Sequence, residues 1–114
     1  MDSKQHTYIF EGKVVHGEGY GRKLGFPTVN IHIQDVEHLP PGVYSGEVSL
    51  DDKEYKAGIV ISPKEKIESH LIGYSGDAYG KIVKIKINQF LRKHEKFASE
   101  AELIAQIKKD ISQC

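Results

Sequence analysis

The chain is short of several things, and each shortage excludes a class of protein. It has one cysteine, Cys114, at the last position, so no internal disulfide and no cysteine-built metal cluster can form. A reducing compartment, the cytoplasm, is the expected setting. It has no net charge, because 16 Lys plus Arg balance 16 Asp plus Glu. A protein that coats nucleic acid or anionic lipid draws its affinity from a basic excess, so neither partner is expected. Apolar runs such as Ile59-Val60-Ile61 fall far below membrane-spanning length. The opening residues Met1 to His6 are polar with no apolar segment behind them, which does not fit a secretory signal. There is no internal repeat, and the 6 His offer no close His-x-His or His-x-x-x-His pair for a dedicated zinc site. What is left, 114 residues with 39% hydrophobic and 28% charged side chains, suits one globular domain over 1–114 with a polar tail at 1–7.

Short extended segments separated by turn residues dominate most of the chain. Strands are expected near Tyr8–Val15, Val29–Ile33, Val43–Leu50, Tyr55–Ile61, Ile67–Ile72 and Ile82–Phe90. In the last, Val83, Ile85 and Ile87 alternate with Lys84, Lys86 and Asn88, a period of two with one wet face. Tyr44, Val48 and Leu50 share one side of the third strand, and Asp51-Asp52-Lys53 turns it into the fourth as a hairpin. The period then changes. Ser99 and Glu102 form a capping box, and Leu103, Ile104, Ile107 and Ile111 follow at helical spacing, predicting one amphipathic helix over 99–112. Antiparallel strands with one helix and no βαβ alternation predict a mainly β fold, a small closed barrel with the helix packed on it.

Four segments could carry chemistry. His16 to Gly25 is glycine-rich but matches neither a P-loop nor the dinucleotide fingerprint. Its uncovered amides, with Arg22 and Lys23, suit phosphate oxygens, and a loop joining two strands is the plainer reading. Thr28 and Asn30 point to one face of an extended segment and present neutral oxygens. A magnesium ion carried in by a nucleotide needs few protein oxygens, although an ordinary polar strand face would look the same. Glu68 and His70 share a strand face opposite Ile67, Ser69 and Leu71; they could move a proton, or be exposed polar residues on a wet surface. Arg92 and Phe97 bracket a polar run and could hold a flat ring system by stacking, or serve as a solvated connection with a hydrophobic plug.

Taken in order, Val14-Val15-His16-Gly17, Gly21-Arg22-x-Leu24-Gly25-Phe26-Pro27-Thr28-x-Asn30, Gly42-Val43-Tyr44, Glu68-Ser69-His70-Leu71, Tyr79-Gly80, Leu91-Arg92 and Phe97 resemble the riboflavin kinases. The resemblance runs from about Phe10 to about Asp110. It implies a six-stranded antiparallel Greek-key barrel with a C-terminal helix, transferring the γ-phosphate of ATP to the ribityl 5′-hydroxyl of riboflavin to give FMN. By residue, it implies Glu68 as catalytic base and Thr28 with Asn30 as holders of Mg2+ or another divalent ion such as Zn2+. Gly17, Arg22, Thr28, Leu71 and Tyr79 would contact ATP, and Arg92, Glu95 and Phe97 the flavin. Riboflavin and ATP are then the expected partners of a monomeric cytoplasmic enzyme.

Three features depart from the family's pattern. Ile59-Val60-Ile61-Ser62-Pro63-Lys64 lacks the family's Asn, Gly and Thr before the catalytic glutamate, as if a loop were shortened. His94 stands where many members carry Glu. Many bacterial members are the second half of a chain whose first half adenylylates FMN, and no such module is found in these residues. The altered segment motivates an alternative, a noncatalytic flavin- or nucleotide-binding regulatory domain. Joint retention of Thr28, Asn30 and Glu68 speaks for the kinase.

Overall fold

Alternation of the predicted kind does fold into strands. A computed structural model of the chain describes residues 8–16, 25–26, 28–33, 40–63 and 66–114. Among the described residues six strands run β1 (Tyr8–Val15), β2 (Val29–His32), β3 (Gly42–Leu50), β4 (Lys53–Ile61), β5 (Ile67–Leu71) and β6 (Ile82–Lys93), followed by one helix, α1 (Glu100–Ser112). All pairings are antiparallel, and the sheet closes on itself in the order β1-β2-β5-β4-β3-β6. β3, β4 and β5 follow one another, and β6 returns beside β3, which is the Greek-key arrangement. Closure removes both sheet edges and their unpaired amides.

Every second residue points inward. Val14, Ile31, Val48, Leu50, Ala57, Ile59, Ile61, Ile67, Leu71, Val83, Ile85 and Ile87 fill the barrel, and Ile59 and Ile85 are wholly removed from water. Each Val, Leu or Ile among them contributes about 1.5–3 kcal/mol relative to leaving it exposed. Tyr44 also turns in, donating its hydroxyl to the Pro40 carbonyl at 2.6 Å with its ring edge-on to Phe90. Burial and the nearby Tyr8 raise its pKa.

Two local devices set the barrel's shape. The β3–β4 connection is a two-residue turn in which Asp51 and Asp52 both take positive φ, 52° and 65°, so that Leu50 faces Lys53. That geometry matches the right-handed strand twist, and Asp tolerates it better than most side chains. Asp51 also pairs with Lys81. Along β3–β6 the register shifts between Val43 and Tyr44 and again between Ser45 and Gly46. A Cβ on Gly46 would lie 2.0 Å from the Lys86 carbonyl oxygen, so only glycine permits this approach. With these irregularities β6 runs on to Lys93, three residues beyond its expected end at Phe90, and its inward–outward alternation stops after Ile87.

The helix begins where the sequence places its cap: the Ser99 hydroxyl accepts from the Glu102 amide at 3.2 Å. Glu100 and Glu102 sit in its first turn and Lys109 in its last, each favourably placed against the helix dipole. Leu103, Ile104, Ile107 and Ile111 are half-buried, and the helix lies against β4.

Candidate active site

The register of β2 against β5 brings the expected polar residues together. Asn30 is the direct partner of Glu68 and Val29 of Ser69, so Asn30 and Glu68 share the outer face while Val29 and Ser69 turn towards the interior. Thr28, one step before β2, donates its hydroxyl to Glu68 Oε1 at 3.0 Å across 40 residues of sequence. His70 lies on the same face, its ring edge-on to Phe26 at 6.1 Å. The β4–β5 connection that delivers Glu68 is closed by Ser62, whose amide donates to the Lys66 carbonyl at 2.9 Å and whose hydroxyl accepts from the Lys66 amide at 3.2 Å. The atypical Ile59–Lys64 segment thus still presents β5 in register; within it, Lys64 lies outside the described residues.

Beside this trio is a cavity of about 410 Å3 at the barrel mouth. Its walls come from the end of β1, Thr28 and Asn30, the inward side chains Ser69 and Leu71, and the segment Tyr74–Tyr79. That segment is stitched to β1: Gly80 donates to the Val14 carbonyl and Val14 donates to the Lys81 carbonyl, both at 2.9 Å. The Tyr79 amide donates to Asp77 Oδ1 at 2.9 Å. Tyr79, 52% exposed, is thereby laid on His16 with ring centroids 3.6 Å apart and planes 13° from parallel. Leu71 is buried in the wall. Ser69 Oγ is wholly buried and has no hydrogen-bond partner among the described residues. Glu68 is not itself a wall residue; the Thr28 hydroxyl links its carboxylate to the rim.

Arg92, Glu95 and Phe97 form a second cluster. Cross-strand partners run Val15, Asn30, Glu68, Val60, Val43, Arg92 around the barrel. Arg92 is therefore three strand spacings from Glu68, about 14 Å along the sheet. Its guanidinium stands 5.5 Å from the Phe97 ring centroid and 3.9 Å from Glu95 Oε1. Two of the expected phosphate contacts, Gly17 and Arg22, lie outside the described residues.

Thr28, Asn30 and Glu68 offer oxygen donors only, a set suited to a hard divalent cation. Among the described residues no group of three or more His, Cys, Asp or Glu could hold a metal. Sequence reasoning did not foresee the His16–Tyr79 stack, the orphaned Ser69 hydroxyl, or Asp110, which binds Arg92 from the helix. Only Asp110 left a signal: it stands seven residues after Leu103 and three after Ile107, on the apolar stripe.

Comparison with known proteins agrees with this geometry. A family model described as "Flavokinase: Riboflavin kinase" matches residues 4–114. The bifunctional riboflavin kinase/FMN adenylyltransferase of Escherichia coli (strain K12) is 34% identical over 113 residues, covering 92% of this chain and 36% of the relative. The chain thus spans little more than a third of that relative's length. Riboflavin kinase from Trypanosoma brucei superposes with a TM-score of 0.72 and 26% identity, over 97% of this chain and 78% of that one. A Streptococcus pneumoniae structure described as a macrolide-efflux protein superposes with a TM-score of 0.81 and 28% identity, over 91% of this chain and 37% of that one. On the breadth of the family match and the Thr28–Asn30–Glu68 geometry, the chain belongs to the riboflavin kinase (flavokinase) family.

Proposed function

We propose that the chain is an ATP:riboflavin 5′-phosphotransferase, a single domain over 1–114 that acts as a cytoplasmic monomer on riboflavin and ATP. The observation that carries this reading is the Glu68 carboxylate, held by the Thr28 hydroxyl and paired with Asn30 at the edge of a cavity. No described helix is long and apolar enough to cross a membrane.

In this reading each residue has a physical task. Phosphoryl transfer asks for alignment and charge compensation more than covalent chemistry. Glu68 orients the ribityl 5′-hydroxyl and accepts its proton as the bond to phosphorus forms, with the ADP oxygen as leaving group. The Thr28 hydroxyl bond leaves Glu68 Oε2 as the oxygen to face that proton. Thr28 and Asn30 would hold Mg2+ or another divalent ion such as Zn2+, which when bound supplies positive charge to the phosphates. Leu71 walls the nucleotide and Tyr79 lies over it, while Gly17 and Arg22 contact its phosphates. Arg92, Glu95 and Phe97 take the flavin ring.

The test is direct. The protein is incubated with riboflavin, ATP and MgCl2, and the flavins are separated by chromatography. FMN accumulating in step with ADP supports the proposal. Riboflavin bound without FMN formation would instead favour the noncatalytic reading.

A further inference from the structure

The guanidinium of Arg92 is held by a helix residue that the proposed mechanism does not use. Arg92 Nε donates to Asp110 Oδ1 at 3.0 Å and Oδ2 at 3.3 Å, and its Nη2 donates to Asp110 Oδ2 at 2.9 Å. Its Nη1 donates to the Lys93 carbonyl at 3.1 Å. Gln106, one helical turn before Asp110, donates its Nε2 to Asp110 Oδ1 at 2.9 Å. Asp110 is only 7% exposed, and its carboxylate is satisfied by these three nitrogens. The guanidinium is therefore fixed in plane and its charge compensated, and it lies over the Phe97 ring at 5.5 Å from the centroid.

A staple between helix and barrel would not need this chemistry. Burying a carboxylate against a guanidinium costs desolvation that apolar side chains of similar size avoid, and such pairs add little net stability. What the pair does supply is orientation, because two-point bonding leaves the flat group one geometry. A compensated guanidinium is poorly suited to an anion and well suited to an uncharged planar ring.

We infer that Asp110, supported by Gln106, is a positioning residue that orients Arg92 as a flat, charge-compensated plate for the isoalloxazine ring of riboflavin. This rests on the proposed riboflavin kinase reading. Asp110 touches no substrate; it acts through Arg92.

The experiment measures KM for riboflavin and KM for ATP separately in wild type, Asp110→Asn, Arg92→Lys, the double variant and Asp110→Glu, with thermal midpoints recorded. Asp110→Asn should raise KM for riboflavin about tenfold, with KM for ATP changed less than about twofold. Arg92→Lys keeps the charge but loses two-point bonding, so it should match that effect, and the double variant should be no worse than either single one. Asp110→Glu should recover part of the loss. If Asp110→Asn does not fold, Gln106→Met keeps the ion pair and removes one bond to the carboxylate; it should raise KM for riboflavin about threefold. A lower thermal midpoint or kcat with the two KM values in their wild-type ratio would show a merely structural staple and overturn the inference alone. A wild-type protein that neither binds nor phosphorylates riboflavin would overturn the proposed function and this inference with it.

Discussion

Replacing Thr28 by valine removes one hydroxyl while keeping the branched shape of the side chain. The hydroxyl donates to Glu68 Oε1 at 3.0 Å, and both residues are half-buried at the cavity edge. A hydrogen bond to a charged group contributes about 1.5–3 kcal/mol, and partial solvent access places this one near about 1–2 kcal/mol. If that energy holds the carboxylate in its reactive orientation, turnover should fall about 5- to 30-fold. Loss of an oxygen beside Asn30 should also raise the magnesium concentration needed for half-maximal rate. Thr28→Ser keeps the hydroxyl and should recover most of the activity. The assay is steady-state FMN formation at varied magnesium, with a thermal melt for each variant. Thr28 lies outside the buried core, so the melting temperature should fall by no more than several degrees and the fold should stay intact. Wild-type turnover and magnesium dependence in Thr28→Val would refute the link between this bond and catalysis.

Further outcomes concern the scaffold. Asp52→Gly relieves a positive φ of 65° in the β3–β4 turn and leaves the Asp51–Lys81 pair in place, so it should stabilise the fold by about 0.5–1 kcal/mol in denaturant titrations. Burial, then the nearby Asp110, pushes the Cys114 thiol up, and burial, then Tyr8, pushes up the Tyr44 hydroxyl. Both groups are held neutral more strongly in the fold than in the unfolded chain. The stability they contribute is therefore full below their ordinary values and lost as pH rises towards the folded ones. Urea midpoints should hold up to about pH 8 and fall between about 9 and 11; a flat or rising profile there would contradict these shifts.

Much of the barrel was legible because alternation marks strands and β-branched residues fill them. β1 has the expected bounds, and the other five strands differ from theirs by a few residues at one end. The largest difference, β6 running on to Lys93, has a physical cause. Two register shifts against β3 break the alternation around Gln89 and Phe90, so the pattern ends before the strand does. The grouping of Thr28, Asn30 and Glu68 was legible from the resemblance and from face parity, but the hydrogen bond across 40 residues depends on β2 lying beside β5, which no local signal encodes. The His16–Tyr79 stack is likewise a product of the Val14 hydrogen bonds to residues 80 and 81. Asp110 showed in the sequence only by its place on the apolar stripe of the helix; its role needs the partner on a distant strand, Arg92.

The account's central claim is that Glu68 takes the proton of the ribityl hydroxyl at the edge of this cavity. The measurement that tests it most directly is the initial rate of FMN formation by Glu68→Gln against wild type, at saturating riboflavin, ATP and magnesium. Glutamine keeps the size and can still accept from Thr28, so Glu68→Gln and wild type should bind riboflavin and nucleotide alike. Removing a general base costs about 10²–10⁴-fold, and the predicted rate falls by that order. A Glu68→Gln protein that forms FMN at near wild-type rate would contradict it.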